Sequence, residues 1–112
     1  MDIENAKAQM RKGVLEFCIL SILQRSEAYP SDIMAELKKA KLIVVEGTLY
    51  PLLTRLKNDG LLNYRWEESS QGPPRKYYKL TETGETFLIE LRKTWEELAH
   101  AVNQTTNTTN HE

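Results

Sequence analysis

A mainly α-helical fold, broken by one small β-hairpin and closed by a long helix, is what this sequence predicts. Three observations carry that expectation. Apolar residues recur at helical spacing in three segments before Gly60. From Leu62 to Leu80 the period falls to two, on either side of a turn cluster. After Thr81 the helical period returns, with Leu88, Leu91, Trp95, Leu98 and Val102 spaced 3, 4, 3 and 4.

The first helix is expected over about residues 5–25. Between Val14 and Leu23 only Glu16 and Ser21 are polar, so the helix is apolar nearly all round. A chain of 112 residues has little mass to bury such a helix on every side, which predicts a partner chain against it. Tyr29-Pro30-Ser31-Asp32 then starts a second helix, with proline suited to the first helical position. Ile33, Met34 and Leu37 supply its buried side, and Lys38, Lys39 and Lys41 suit its C-terminal end. Leu42 to Val45 connects to a third helix of about residues 47–59, stopped by Gly60. Three short helices joined tightly form a helix-turn-helix core.

Leu62, Tyr64 and Trp66 alternate with Asn63, Arg65 and Glu67, as in a strand. Ser69-Ser70-Gln71-Gly72-Pro73-Pro74 is a turn, and Arg75 to Leu80 alternates again. Lys76, Tyr78 and Leu80 share one face, and Arg75, Tyr77 and Lys79 the other. The hairpin makes this the winged variant of the motif. Thr81 is suited to N-cap the last helix, with Glu82 and Glu85 at its positive end. The expected plan is a winged helix-turn-helix over residues 1–80, a dimerisation helix over 81–102 and a disordered tail over 103–112.

Composition sets the outer bounds. One domain is expected from the length, and 40% hydrophobic with 28% charged residues is an ordinary globular mix. The net charge of −1 hides an uneven distribution. Residues 1–80 carry 13 Lys/Arg against 10 Asp/Glu, whereas residues 81–112 carry 2 against 6. A mildly basic body thus bears an acidic end. The single cysteine, Cys18, excludes an intrachain disulfide and reads as a core thiol. No apolar run reaches the ~18 residues of a membrane span, and the charged start is unlike a signal sequence. A cytoplasmic location is expected, which makes the sequons at Asn103 and Asn107 irrelevant. His100 and His111 are lone histidines without a second ligand nearby, so no metal or other cofactor is expected.

The third helix and the hairpin tip hold the candidate chemistry. Leu49, Leu52, Leu53 and Leu56 form one core stripe. The opposite face carries Gly47, Tyr50, Pro51, Thr54 and Asn58, with Thr48, Arg55 and Lys57 on its shoulders. No acid occurs between Thr48 and Asn58, and these groups suit phosphates and base edges in a major groove. Pro51 is expected to cost little if it lies in the first turn. The tip from Gly72 to Lys79 adds the cations Arg75, Lys76 and Lys79 and the tyrosines Tyr77 and Tyr78, again without an acid. Prolines stiffen it, so it can lie along a phosphate backbone or enter a minor groove. Double-stranded DNA is therefore the expected partner. Tyr78 shares its strand face with Leu80 and is expected in the core.

These residues resemble the PadR family of bacterial repressors. Gly47-Thr48-Leu49-Tyr50-Pro51-Leu52-Leu53, then Arg55-Leu56 and Gly60-Leu61, is similar to that family's recognition helix. Gly72-Pro73, Arg75-Lys76-Tyr77-Tyr78, Leu80-Thr81 and Gly84 are similar to its wing and the start of its dimerisation helix. The likeness spans about residues 13–100 and implies a homodimer, the C-terminal helix packing on the partner's N-terminal helix. It also implies repression of nearby genes, often for detoxification or drug efflux, relieved by a small molecule. Only one helix follows the wing, as in the compact branch of the family. Tyr29-Pro30-Ser31 departs from the Tyr-Gly-Tyr-like start usual for the second helix, which changes the backbone there.

Phe17, Leu88, Leu91, Trp95, Leu98 and Val102 are the candidate residues for the dimer surface and for a small aromatic effector held there. Trp95 lies on the seam, and its indole suits stacking as well as plain packing. An enzyme is not expected, since no nucleophile–base pair or glycine-rich phosphate loop is present. The rival reading is a winged-helix module for protein contact. The acid-free helix and wing count against it.

Overall fold

A computed structural model describes residues 2–42 and 44–107. Ile43 in the expected connector and His111 in the expected tail lie outside the described residues. Among the described residues seven elements follow one another: α1 (Ile3–Arg11), α2 (Val14–Arg25), α3 (Pro30–Lys39), α4 (Glu46–Asn58), β1 (Leu62–Glu67), β2 (Arg75–Leu80) and α5 (Glu82–Thr106). Helix, helix, helix and hairpin assemble as the winged helix-turn-helix that the periodicities predict.

The expected single first helix is two. Gly13 takes φ +96°, a left-handed backbone that ends α1 and restarts the chain as α2. Asp2 caps α1 by accepting from the Asn5 N–H at 2.7 Å, yet α1 buries none of its residues. In α2, Ile19, Leu20 and Leu23 are buried, and Phe17, Cys18 and Ile22 pack half-buried on the core. The chain therefore covers more of this apolar helix by itself than its composition suggests.

α3 starts on Pro30, and the Asp32 carboxylate accepts from the Tyr29 N–H at 3.1 Å. Its C-terminus turns through Lys41 at φ +66°, with the Leu42 N–H donating back to the Leu37 carbonyl at 2.8 Å. That bond pattern closes a helix end, here with lysine where glycine is usual. Pro51 falls on the sixth residue of α4, beyond the first turn. Its ring removes the hydrogen bond to the carbonyl four residues back, that of exposed Gly47.

The core gathers Ile19, Leu20, Leu23, Ile33, Leu37, Leu49, Leu53, Leu56, Leu61, Leu62, Tyr78 and Leu88 from every element except α1. β1 and β2 pair antiparallel, with Leu62 opposite Leu80, Tyr64 opposite Tyr78 and Trp66 opposite Lys76. A short bridge adds the α2–α3 connector to this sheet, Ala28 exchanging backbone bonds of 3.0 and 2.8 Å with Tyr78. The wing is thereby tied to the start of α3. Thr81 caps α5 as expected, accepting from the Gly84 N–H at 2.9 Å and donating to the Gly60 carbonyl at 2.7 Å. α5 packs on α2 and continues to Thr106, four residues beyond the expected end at Val102. Thr105 and Thr106 hold that last turn by donating to the Ala101 and Val102 carbonyls. No helix among the described residues is long and apolar enough to cross a membrane.

Candidate nucleic-acid interface

α4 buries Leu49, Leu53 and Leu56, which turns Thr48, Tyr50, Pro51, Thr54, Lys57 and Asn58 outward, all exposed. Across from this face stands the wing. Between them runs a groove of about 340 Å³ whose walls include Ser31, Tyr50, Thr54, Trp66, Arg75 and Lys76. Two segments that the sequence separates by some twenty residues thus meet along one surface. Hydroxyls stand on one wall and cations on the other.

Each cation is held differently. The Arg75 guanidinium lies 3.9 Å over the Tyr29 ring and donates to the Ser31 hydroxyl at 2.7 Å. Tyr29 in turn packs 4.6 Å from Tyr77, and Arg65 lies 4.7 Å over the other ring of that pair. Arginine, tyrosine, tyrosine and arginine therefore stack in a row that ties both wing strands to Tyr29 at the start of α3. The Lys76 ammonium sits 4.5 Å from the Tyr64 ring centre and 5.6 Å from that of Trp66, half-buried. Lys57 approaches Tyr64 from α4 at 5.8 Å. Rings that restrict these side chains reduce the entropy lost when a ligand fixes them.

Arg55 and Lys79 stand apart from this set. The Arg55 guanidinium is ion-paired with the Glu16 carboxylate of α2, a partner no spacing within α4 discloses. Lys79 opens on another side of the wing, in a hollow shared with Glu27 and Glu85. Burial pushes the Tyr78 phenol up, with the phenols of Tyr64 and Tyr50 adding to the effect. Near neutral pH that ring stays uncharged, so the groove's charge comes from its lysines and arginines.

Ser31, Tyr29 and Trp66 were not foreseen at this surface. The first two come from the helix start, whose turn chemistry says nothing about its neighbours. Trp66 shares a strand face with Leu62 and Tyr64, but exposure climbs along that face to 61% at Trp66 as the wing leaves the body. Its pairing with Lys76 across the hairpin was the available signal.

The second candidate surface lies on α5. Leu88 is buried and Leu91 half-buried against the core, while Trp95, Leu98 and Val102 are exposed at 42%, 51% and 47%. The seam therefore leaves the body as it proceeds. The Trp95 ring lies 6.4 Å from that of Phe17, at the edge of an open groove of about 420 Å³ between α2, α3 and α5. Arg92, 5.3 Å over Phe17, and Lys39 also border it, as does Cys18, whose thiol burial pushes up.

A model of the transcriptional regulator PadR-like family matches residues 19–90. The chain is 65% identical to a PadR-like transcription factor from Bacteroides fragilis solved by X-ray crystallography. That match covers 91% of this chain and 99% of the other, with a TM-score of 0.77. A PadR family transcriptional regulator from Eggerthella lenta superposes with a TM-score of 0.86 at 32% identity, covering 96% of this chain and 94% of its own. A transcriptional regulator of Mycobacterium tuberculosis is 33% identical over 94 residues, 84% of this chain and 87% of that protein.

Proposed function

The chain belongs to the PadR-like family of transcriptional regulators, and on that premise we propose that it represses transcription as a homodimer bound to duplex DNA. The groove between α4 and the wing carries the reading. Thr48, Tyr50, Thr54 and Asn58 face a major groove, where hydroxyl and amide groups reach base edges. Lys57, Arg75 and Lys76 take phosphates beside it, while Pro51 shapes the approach of α4. Gly47 supports the same side: a Cβ there would meet nothing within 4 Å, so the chain's own packing does not demand glycine. We assign Arg55 to holding α4 on α2 and leave Lys79 out of the phosphate set, given their acidic neighbours.

Residues 1–80 then form the DNA-binding part and α5 the dimer element. Phe17, Leu91, Trp95, Leu98 and Val102 would meet a second copy, giving two recognition helices for a palindromic site. The groove beside Phe17 and Trp95 is the place for a small aromatic effector that releases the DNA.

Selecting duplexes from a random pool, then adding aromatic compounds to the complex, tests this directly. Within it, Tyr50→Ala is expected to lower affinity for the selected duplex about tenfold while leaving binding to unrelated duplex nearly unchanged. Lys76→Ala should lower both about equally. Equal losses for Tyr50→Ala on both duplexes would remove α4 from the major groove.

A further inference from the structure

Trp66 is the exposed tryptophan to which the proposed function gives no role. It is 61% exposed, and its ring contact within the chain is an edge-on one with Tyr64, centres 6.1 Å apart. Single exposed aromatics are ordinary. This one is continuous with Pro73 and Pro74, which border an apolar hollow of about 500 Å³ at the wing tip. It also forms part of the groove wall opposite Tyr50 and Thr54, beside Lys76. A rigid apolar plate therefore adjoins a cation that faces the proposed phosphates.

Resting on the DNA-binding reading, we infer that Trp66, backed by Pro73 and Pro74, is a non-ionic DNA contact that packs on the deoxyribose edge of the minor groove. Sugar walls present C–H surface there, and minor-groove proteins commonly bring apolar side chains into that groove. The charges fit sugar better than phosphate. Lys76, 5.6 Å from the indole, neutralises a phosphate beside it, whereas Glu68, which lines the same apolar hollow as Trp66, disfavours a second phosphate there. The plate thus determines how deeply the wing seats once Lys76 has engaged.

The probe is the duplex that the full-length chain selects from a random pool, read by titration at several salt concentrations and by tryptophan fluorescence. Trp66→Ala is expected to weaken binding about tenfold, the low end for an aromatic stacking contact with nucleic acid, with the slope of log affinity against log salt unchanged. Trp66→Phe should keep most of the affinity. It should also lose the duplex-induced quenching expected of the unaltered chain, since Trp95 then remains alone. Wild-type affinity in Trp66→Ala, or quenching that persists in Trp66→Phe, would overturn the inference and leave the DNA reading standing. A shallower salt slope in Trp66→Ala would also overturn it, making the indole a support for Lys76. If the unaltered chain selected no duplex, both readings would fall together.

Discussion

Leu91→Asp is expected to destabilise the fold strongly, whereas Leu98→Asp, two turns along the same helix, should only take the dimer apart. The difference follows from where α5 leaves the body. Leu91 packs half-buried on the core beside buried Leu88, so a carboxylate there enters apolar surroundings. Losing a leucine's burial alone costs about 1.5–3 kcal/mol, and an unpaired charge adds to it. For a domain of this size a loss of about 3 kcal/mol corresponds to a melting temperature lower by roughly 15 °C. Leu98 is 51% exposed and forms no part of that core. Leu98→Asp should therefore keep the fold and sediment as a monomer. Its affinity for the selected duplex should drop about 100-fold or more, because linked half-site binding typically multiplies affinity by 10²–10⁴. A Leu98→Asp chain that remained dimeric would show that α5 is not the dimer element.

Gly84→Ala is the second large effect, and it needs no partner chain. An added Cβ would stand 2.2 Å from the Leu61 carbonyl oxygen and 2.8 Å from Leu80 Cδ1. Backbone cannot yield as a flexible side chain would, so α5 must move off the junction of α4 and β1. Overpacking of this kind costs about 1–3 kcal/mol, and a backbone clash sits at the upper end. Thr81 would lose its aim at the Gly60 carbonyl in the same movement. Chemical denaturation should show a loss of about 3 kcal/mol, although alanine is by itself the better helix former. Stability equal to that of the unaltered chain would mean that α5 docks more loosely than the structure describes.

Local patterns made much of this fold legible. The leucine stripe of α4, the alternation of β1 and β2 and the Thr81 cap all depend on near neighbours, and they lie where expected. What escaped depends on backbone conformation or on distant partners. Gly13 sits inside a helical pattern, and only its positive φ shows the break between α1 and α2. Asn103 to Thr106 are polar, yet threonine hydroxyls bonded to carbonyls four residues back extend α5 through them. At the candidate site, spacing along α4 put Arg55 among the free cations. It could not reveal Glu16, 39 positions away, as its partner. The ring stack from Arg65 to Arg75 joins three separate segments, and no periodicity in any of them announces it.

The claim that two copies of this groove grip one duplex is tested most directly by the salt dependence of binding. On the proposed reading, Lys57, Arg75 and Lys76 from two subunits would make six phosphate contacts, each releasing counterions. The slope of log affinity against log salt should then be about −5. Titration of the selected duplex by fluorescence anisotropy between 50 and 200 mM salt reads that slope, and affinity should fall roughly 10³-fold across the range. A flat titration would contradict the account, because no arrangement of these cations along a phosphate backbone is indifferent to salt.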